Sequence, residues 1–297
     1  MRPLPESIEA FRAAIERAGL APPLDLKADG RLHRFSTSHR PADDAGWYVL
    51  HPDPPPAGAF GDWRTGLSQT WRDGQGGRGA GPARAQAIHR SVATLAADRV
   101  KAALALWESA APADQTVVES YLATRGLRLL PPTLRFCVRL CHPTGSTWPV
   151  MLALVTHGRD ERPMAVHRTF LVRDGSGKAP VRPNRMMLGP CAGGVVRLAP
   201  AQRETMVGEG IETCLAAMQA TGMPAWAAMS TSGLRTLELP DIVREVVVLA
   251  DGDDPGEAAA KAAAARWSRE GRRVRIARPP KGMDFNDLLI AQGAGAP

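Results

Sequence analysis

The stretch that decides the fold is Glu245-Val-Val-Val-Leu-Ala250, followed directly by Asp251-Gly-Asp253-Asp254. Its apolar, mostly β-branched run is of the kind that parallel sheets bury on both faces. In an open parallel sheet, ligands bind beyond the carboxyl ends of the strands, and this is where Asp251 and Asp253 stand. The stretch therefore predicts a buried strand that delivers carboxylates to a ligand-binding crevice.

Strands and helices alternate on both sides of this stretch. Thr205–Gly208 and Arg273–Ala277 read as short strands, and Ile211–Thr221 reads as a helix that ends at Gly222. An alanine-rich helix begins near Pro255, because proline favours the first turn of a helix. This alternation predicts an α/β fold with a parallel sheet flanked by helices.

Acidic residues follow the strands at three places. Glu209 comes after the first strand, Asp251 and Asp253 follow the most hydrophobic one, and Asp284 and Asp287 stand near the C-terminus. Carboxylates that meet repel one another unless a cation lies between them, and Mg²⁺ binds carboxylates together with phosphates and water. A structural alternative is that these side chains cap helices. Together the three clusters favour a Mg²⁺ site, with Mn²⁺ as an alternative ion.

The order of these motifs carries a family resemblance. Glu-Gly after a strand, then Asp-x-Asp after a hydrophobic strand, then an Asp/Asn-containing motif, resembles the Toprim family shared by bacterial-type primases, topoisomerases and certain nucleases. The resemblance covers about Thr205–Ile290. The stretches around Glu209 and Asp251 resemble the Toprim domains of plasmid or phage primases.

The resemblance implies roles for individual residues. Glu209 matches the family's glutamate, a proposed general acid or base, and Asp251 and Asp253 match its metal-binding pair. Asp284 and Asp287 match the third acidic motif. Many primases carry an aspartate four residues after the glutamate, where Thr213 stands here. Either Glu212 substitutes for that metal ligand or the ligand is missing.

The basic residues are concentrated ahead of this domain. Residues 205–297 hold 10 basic and 12 acidic side chains, so the surplus behind the net charge of +7 lies in the first 204 residues. A basic body favours a polyanionic partner. Predicted strands and helices between 114 and 204 indicate a mixed α+β subdomain, and the segments Tyr121–Gly126 and Ala165–Arg168 resemble the basic subdomain that precedes Toprim in primases. The predicted nucleic-acid contacts are Arg168, Lys178, Arg182 and Arg185, although each can instead serve a local ion pair or a solvated turn.

The N-terminal part reads as a small antiparallel β module that resembles a primase zinc ribbon without zinc ligands. Its aromatic residues predict either a protein core or a platform for stacking bases, and the core is favoured because so small a module needs bulky burial. Alternation puts Trp47 and Tyr48 on opposite faces, so both can hold, with Trp63 in the core and Tyr48 in contact with DNA. Cys137, Cys141 and His142 lie further on and are more consistent with packing than with structural zinc. The predicted domains are 1–74, a linker and long helix at 75–113, the basic subdomain at 114–204, and 205–297.

These features together predict a DNA primase-like nucleotidyltransferase that makes short primers from NTPs on single-stranded DNA in plasmid or phage replication. The alternatives are a Toprim-type nuclease and a non-catalytic DNA-binding replication protein. No GxxxxGK[ST] phosphate loop occurs, so we expect a separate helicase as partner. Neither a signal peptide nor an apolar stretch of about 20 residues is present, which predicts a cytoplasmic protein without membrane contact.

Overall fold

The computed structural model describes residues 4–37, 45–62, 64–73, 82–251, 254–280 and 283–293. The chain divides into two compact units, Met1–Asp98 and Arg99–Pro297. The division falls within the long helix α2, Pro82–Glu108, which the sequence predicted as a helix. The predicted glycine-rich linker before it lies outside the described residues. None of the helices in the described ranges is both long enough and apolar enough to cross a membrane.

The first unit contains the predicted small antiparallel sheet. Helix α1, Leu4–Arg17, precedes four strands that pair in sequence order. The strands are β1 Leu32–Phe35, β2 Gly46–His51, β3 Ala57–Asp62 and β4 Leu67–Arg72. Each strand is antiparallel to its neighbour. This part of the predicted fold class is confirmed.

The aromatic side chains of this sheet are its core. Phe11 of α1 packs edge-on against Tyr48 and Phe60, whose ring centroids lie 6.1 and 5.7 Å away. The Tyr48 hydroxyl accepts a hydrogen bond from the backbone amide of Lys27 at 2.9 Å. Trp47 is buried on the opposite face beside Ala59. The favoured core interpretation is thus confirmed for these residues. The alternative in which Tyr48 stacks on bases is wrong, because its ring is buried in the core. Trp63 lies outside the described residues.

The second unit opens with a mixed α+β region. Helix α3, Val117–Ala123, is capped by Thr116, whose hydroxyl accepts a hydrogen bond from the Val118 amide at 3.1 Å. The long central strand β7, Thr147–His157, pairs antiparallel with β6, Leu134–Cys141, and with β8, Pro163–Phe170. The strands of this region are β5 Ala111–Pro112, β6 Leu134–Cys141, β7, β8 Pro163–Phe170, β9 Arg185–Leu188 and β10 Gly194–Arg197.

The C-terminal part of this unit is the predicted parallel sheet. Its strands are β11 Glu204–Gly208, β12 Ala225–Ala227, β13 Glu245–Leu249 and β14 Arg273–Ala277. In space they follow the order β12-β11-β13-β14, and each is parallel to its neighbour. Strand β10 pairs antiparallel with β12 and joins this sheet to the preceding strands. The predicted α/β class is confirmed.

Helices cover both faces of the parallel sheet. Cys214 and Leu215 of α4, Ile211–Thr221, pack on one face together with Met206. Ala263 and Trp267 of α6 pack on the other face with the buried valines of β13. The helices of this region are α4, α5 Thr231–Thr236, α6 Asp254–Arg269 and α7 Phe285–Gly293. As predicted, α4 ends at Gly222, which takes the left-handed conformation with φ 71°.

Gly208 lets β11 and α4 approach closely at the point where the strand ends. A Cβ atom at this position would lie 2.9 Å from Cys214 Sγ and 3.2 Å from Leu249 Cβ. We expect Gly208→Ala to lower the free energy of unfolding by about 1–3 kcal/mol, as overpacking of cores does. Chemical denaturation followed by circular dichroism measures the change.

Gly177→Ala is the matched control, because a Cβ there meets nothing within 4 Å. Cys214→Ala in the Gly208→Ala background removes the nearest clashing atom and should restore part of the lost stability. If Gly208→Ala unfolds at the same denaturant concentration as the wild type, the close approach of β11 and α4 is wrong.

Candidate active site

Glu209 stands at the carboxyl edge of the parallel sheet. It follows β11 directly, and Gly210 then begins α4 without a side-chain cap. The backbone of this turn is held by the segment after β12, since Ala228 and Met229 donate amide hydrogen bonds to the carbonyls of Gly208 and Glu209 at 2.8 and 2.9 Å. The Glu209 side chain is half-buried. The predicted general acid or base is therefore carried on a backbone that the segment after β12 holds by two hydrogen bonds.

Asp251 lies at the same edge on the neighbouring strand. Gly208 pairs with Leu249 in the parallel ladder, so Glu209 and, one residue past Ala250, Asp251 leave adjacent strands at the same edge of the sheet. Adjacent strands lie about 4.8 Å apart. On the other side of β13, the Ala250 amide donates a hydrogen bond to the Ala277 carbonyl at 3.0 Å, which extends the pairing with β14 to the residue before Asp251. The structure thus carries both residues at one edge of the sheet, and a metal site shared by their carboxylates stays a prediction.

Asp253 lies outside the described residues, so the structure describes only Asp251 of the predicted metal-binding pair. Within the described ranges, no group of three or more His, Cys, Asp or Glu side chains is arranged as a metal site. The donor chemistry nevertheless suits Mg²⁺, because Glu209 and Asp251 offer hard carboxylate oxygens at the edge where ligands of parallel sheets bind.

Asp284 and Asp287 form a reciprocal cap at the start of α7. The Asp287 amide donates to Asp284 Oδ1 at 2.7 Å, and the Asp284 amide donates to Asp287 Oδ2 at 2.9 Å. This is the geometry of a capping box, in which two residues three apart satisfy each other's backbone amides. Helix capping, the alternative to metal binding, is therefore observed for this cluster, and it uses one oxygen of each carboxylate. A metal-binding role for the remaining oxygens stays a prediction.

Asn286, between these two aspartates, received no role from the sequence. It is only 4% exposed, and its Oδ1 atom has no hydrogen-bond partner among the described residues. Buried amide oxygens are almost always paired, so an unpaired one is unusual. The carbonyl oxygen of Asn286 is a further hard donor in the third motif. Its position in the acidic cluster was the only signal that the sequence offered.

Glu212 is a member of a buried polar cluster. Its Oε1 atom accepts hydrogen bonds from the Tyr121 hydroxyl at 2.6 Å and from Lys178 Nζ at 2.9 Å. Burial alone would raise the pKa of Glu212, but Lys178 and Tyr121 outweigh it and hold the pKa at about 2. The carboxylate is thus ionised and satisfied by protein groups. The sequence did not predict either partner.

The four predicted nucleic-acid contacts differ in their surroundings. Arg168 is half-buried on β8 and donates through Nη2 to the Met187 carbonyl at 3.2 Å. Lys178 is engaged by Glu212. Arg182 and Arg185 are exposed at the end of the loop before β9 and at its first residue. The two exposed arginines are therefore the most accessible of the four to a phosphate.

His167 shows that these basic residues lie close together. It is buried, and its pKa is lowered to about 3, first by burial and then by the charges of Arg185, Arg168 and Lys178. The same Arg185 charge lowers the pKa of Tyr121, although burial and Glu212 keep that pKa far above its ordinary value. Arg168 adjoins His167 on β8, and Arg185 of β9 pairs with Thr169, so the backbone positions of these two arginines lie next to the buried imidazole.

A parallel sheet with acidic residues after adjacent strands, preceded by a basic α+β region, is the arrangement that the Toprim resemblance implies. Family comparison agrees: residues 204–295 match the Toprim domain, and residues 97–198 match a domain of unknown function, DUF7146. The chain therefore contains a Toprim domain, and the resemblance predicted from the motifs is confirmed. No curated protein matches the chain.

Solved structures similar to this chain include bacterial DNA primases. A DNA primase domain from Pseudomonas aeruginosa is 18% identical with a TM-score of 0.44, over 65% of this chain and 75% of that one. The Aquifex aeolicus primase, with zinc-binding and RNA polymerase domains, is 14% identical with a TM-score of 0.47, over 99% and 83%. The RNA polymerase domain of Mycobacterium tuberculosis primase in complex with double-stranded DNA is 16% identical with a TM-score of 0.39, over 65% and 75%.

Proposed function

We propose that this protein is a primase-like nucleotidyltransferase that synthesises short primers on single-stranded DNA. The observation that carries the proposal is the Toprim domain at 204–295, within which Glu209 and Asp251 follow adjacent parallel strands. Arg168 and Arg185 on the neighbouring strands β8 and β9 support it, because a polymerising enzyme must hold a polyanion near its carboxylates.

The chemistry joins a 3′-hydroxyl oxygen to the α-phosphorus of an NTP while the bond to the β-phosphate breaks and pyrophosphate leaves. In the proposal Asp251 and Asp253 hold Mg²⁺, with Asp284 and Asp287 as further candidate ligands. The ion supplies neutralisation of phosphate charge and a lowered pKa of the attacking hydroxyl. Glu209 accepts the proton of that hydroxyl, and the basic side chains orient the phosphates. Position and electrostatics supply most of what phosphoryl transfer requires.

The partners in the proposal are a single-stranded template, NTPs and a separate replicative helicase. The proposed setting is plasmid or phage replication in the cytoplasm. Arg182 and Arg185, which are both exposed, are the proposed contacts to the template backbone.

A primer-synthesis assay tests the proposal. The protein is incubated with single-stranded DNA, labelled NTPs and either Mg²⁺ or Mn²⁺, and the products are resolved by size. We expect new short oligonucleotides that require both the metal and the template, with EDTA and template-free reactions as controls. Shortened DNA would indicate the nuclease alternative, and binding without any product would indicate a non-catalytic protein.

Template binding should depend on the two exposed arginines. We expect Arg182→Ala and Arg185→Ala each to weaken single-stranded DNA binding and to lower the slope of log affinity against log salt by about 0.7 per lost phosphate contact. Fluorescence anisotropy across a salt series measures both quantities.

Arg273→Ala is the matched control, because Arg273 is an exposed arginine that begins β14 and so lies at the amino end of the parallel sheet. Its replacement should leave the salt slope unchanged. Equal slopes for the wild type and both loop variants would move the proposed template groove to another surface.

A further inference from the structure

The cluster of Tyr121, Lys178 and Glu212 joins three segments that are remote in sequence. Tyr121 belongs to α3, Lys178 lies in the loop between β8 and β9, and Glu212 lies in the first turn of α4. Both donors share one carboxylate oxygen, and the Lys178 ammonium lies 6.0 Å from the centre of the Tyr121 ring. The DUF7146 region and the Toprim domain thus meet at this carboxylate.

Because Glu212 is buried, its charge must be compensated by neighbouring protein groups. Glu212 is 8% exposed, and a carboxylate in such a place is tolerated only when it is paired and hydrogen-bonded. The Tyr121 hydroxyl and the Lys178 ammonium both donate to Oε1, so protein groups already stabilise the negative charge of this carboxylate. A magnesium ligand needs an oxygen that faces the ion and its waters, and Lys178 next to it would repel a cation.

The loop that carries Lys178 is seated on α3 by close packing. A Cβ at Gly175 would lie 2.7 Å from Ser120 Cβ and 3.0 Å from the Val117 carbonyl oxygen. The loop closes through a bridge between Leu171 and Lys178. Its far end leads to Arg182 and Arg185. A contact that fixes the position of Lys178 therefore also restricts the positions of Arg182 and Arg185, which follow it by four and seven residues.

We propose that Glu212 is a positioning residue. Through Tyr121 and Lys178 it holds the loop between β8 and β9, which we call the basic loop, against the first turn of α4, three residues after Glu209. The proposal rests on the function proposed above and refines it. Glu212 then does not bind metal, and Lys178 does not contact the template. Its role is to keep the phosphate-binding arginines at a constant distance from the catalytic edge.

Three interpretations of this cluster predict three different patterns. If Glu212 is a metal ligand, Glu212→Gln weakens metal binding. If Lys178 contacts phosphate, Lys178→Met lowers the salt slope of single-stranded DNA binding by about 0.7. If the cluster positions the loop, both variants keep metal affinity within twofold and leave the salt slope unchanged, while kcat falls by about tenfold to 100-fold, because small displacements of reacting groups have effects of that size.

The experiment measures all three quantities on the full chain. Mn²⁺ binding is followed by the electron paramagnetic resonance of the free ion, DNA binding by anisotropy, and kcat by primer synthesis. Asp251→Asn is the comparison variant for metal loss. A tenfold loss of Mn²⁺ affinity in Glu212→Gln, or a reduced salt slope in Lys178→Met, overturns the proposal.

The variant with both Glu212→Gln and Lys178→Met covers the case in which a single change unfolds the protein. Removing both charges leaves no unpaired ion in the core, so this variant should fold. Its kcat should be no lower than that of either single variant, since both changes break the same contact. A further, additive loss in the double variant would contradict the proposal.

Hydrogen exchange separates this inference from the proposed function. Breaking the contact should speed amide exchange in the loop from Val172 to Arg185 and in α3, whether or not the protein makes primers. Failure of primer synthesis in the wild type would remove the proposed function but leave this measurement intact. If amide exchange in the loop of a folded Lys178→Met variant is unchanged, the contact with Glu212 does not hold the loop in place.

Discussion

Glu209→Gln is expected to lower primer synthesis by about 10²- to 10⁴-fold, which is the usual contribution of a general acid or base. Glutamine keeps the size and shape of the side chain but cannot accept the proton of the attacking hydroxyl. Because Glu209 is half-buried on a backbone held by the Ala228 and Met229 amides, the substitution should not disturb the fold. Initial rates of labelled-oligonucleotide formation at saturating metal measure the effect.

The matched control is Glu204→Gln, at the opposite end of the same strand β11, where the carboxylate pairs with Arg275 on the sheet surface. We expect this variant to prime at the wild-type rate. Affinity for single-stranded DNA should be nearly unchanged in both variants, since neither touches the basic loop. A Glu209→Gln protein that retains wild-type turnover would remove Glu209 from the chemistry.

Asp251→Asn is the second change with a large expected effect. It removes one negative charge and one hard ligand from the carboxyl edge of β13, and we expect metal-dependent activity to fall by about 100-fold or more. Changes to groups that merely surround a metal ligand already cost 10–100-fold. Asp253→Asn should act in the same way. Titrating Mg²⁺ against activity, and Mn²⁺ against its resonance signal, measures the loss.

Folding should survive this change, because relieving repulsion between carboxylates is neutral or stabilising when no metal is bound. Thermal unfolding in EDTA checks this expectation, and the melting temperature should equal or exceed that of the wild type. Asp241→Asn, at an exposed site, serves as the control for loss of charge alone. Wild-type turnover of Asp251→Asn at saturating Mg²⁺ would show that the metal assignment is wrong.

Elements whose pattern is local were predictable from the sequence. The apolar run of β13 and the glycine at the end of α4 each identify an element within a few residues. Once β11 and β13 are known to be parallel neighbours, Glu209 and Asp251 must emerge at one edge. The sequence did not predict the short helix α5, although Ser230 caps it through the Gly233 amide at 3.0 Å, because its six residues are too few to show a hydrophobic period.

The roles of side chains within the candidate site were less predictable than their positions. The sequence put Asp284 and Asp287 into the metal site, and the structure uses one oxygen of each to cap α7. Both uses require the same residue type at the same spacing, since helix amides and cations both attract carboxylates. A motif alone therefore cannot distinguish them.

The sequence by itself determined the Toprim domain, the basic region ahead of it, and the strand ends that carry Glu209 and Asp251. Only the tertiary structure decided the surroundings of Glu212, because its partners Tyr121 and Lys178 lie 91 and 34 residues away and come from different elements. The strands were predictable because each is a hydrophobic run that several neighbouring residues share, and the residues that follow parallel strands lie at one edge of the sheet. A single buried ion pair depends on how three elements pack, and no periodic pattern records which side chains will meet there.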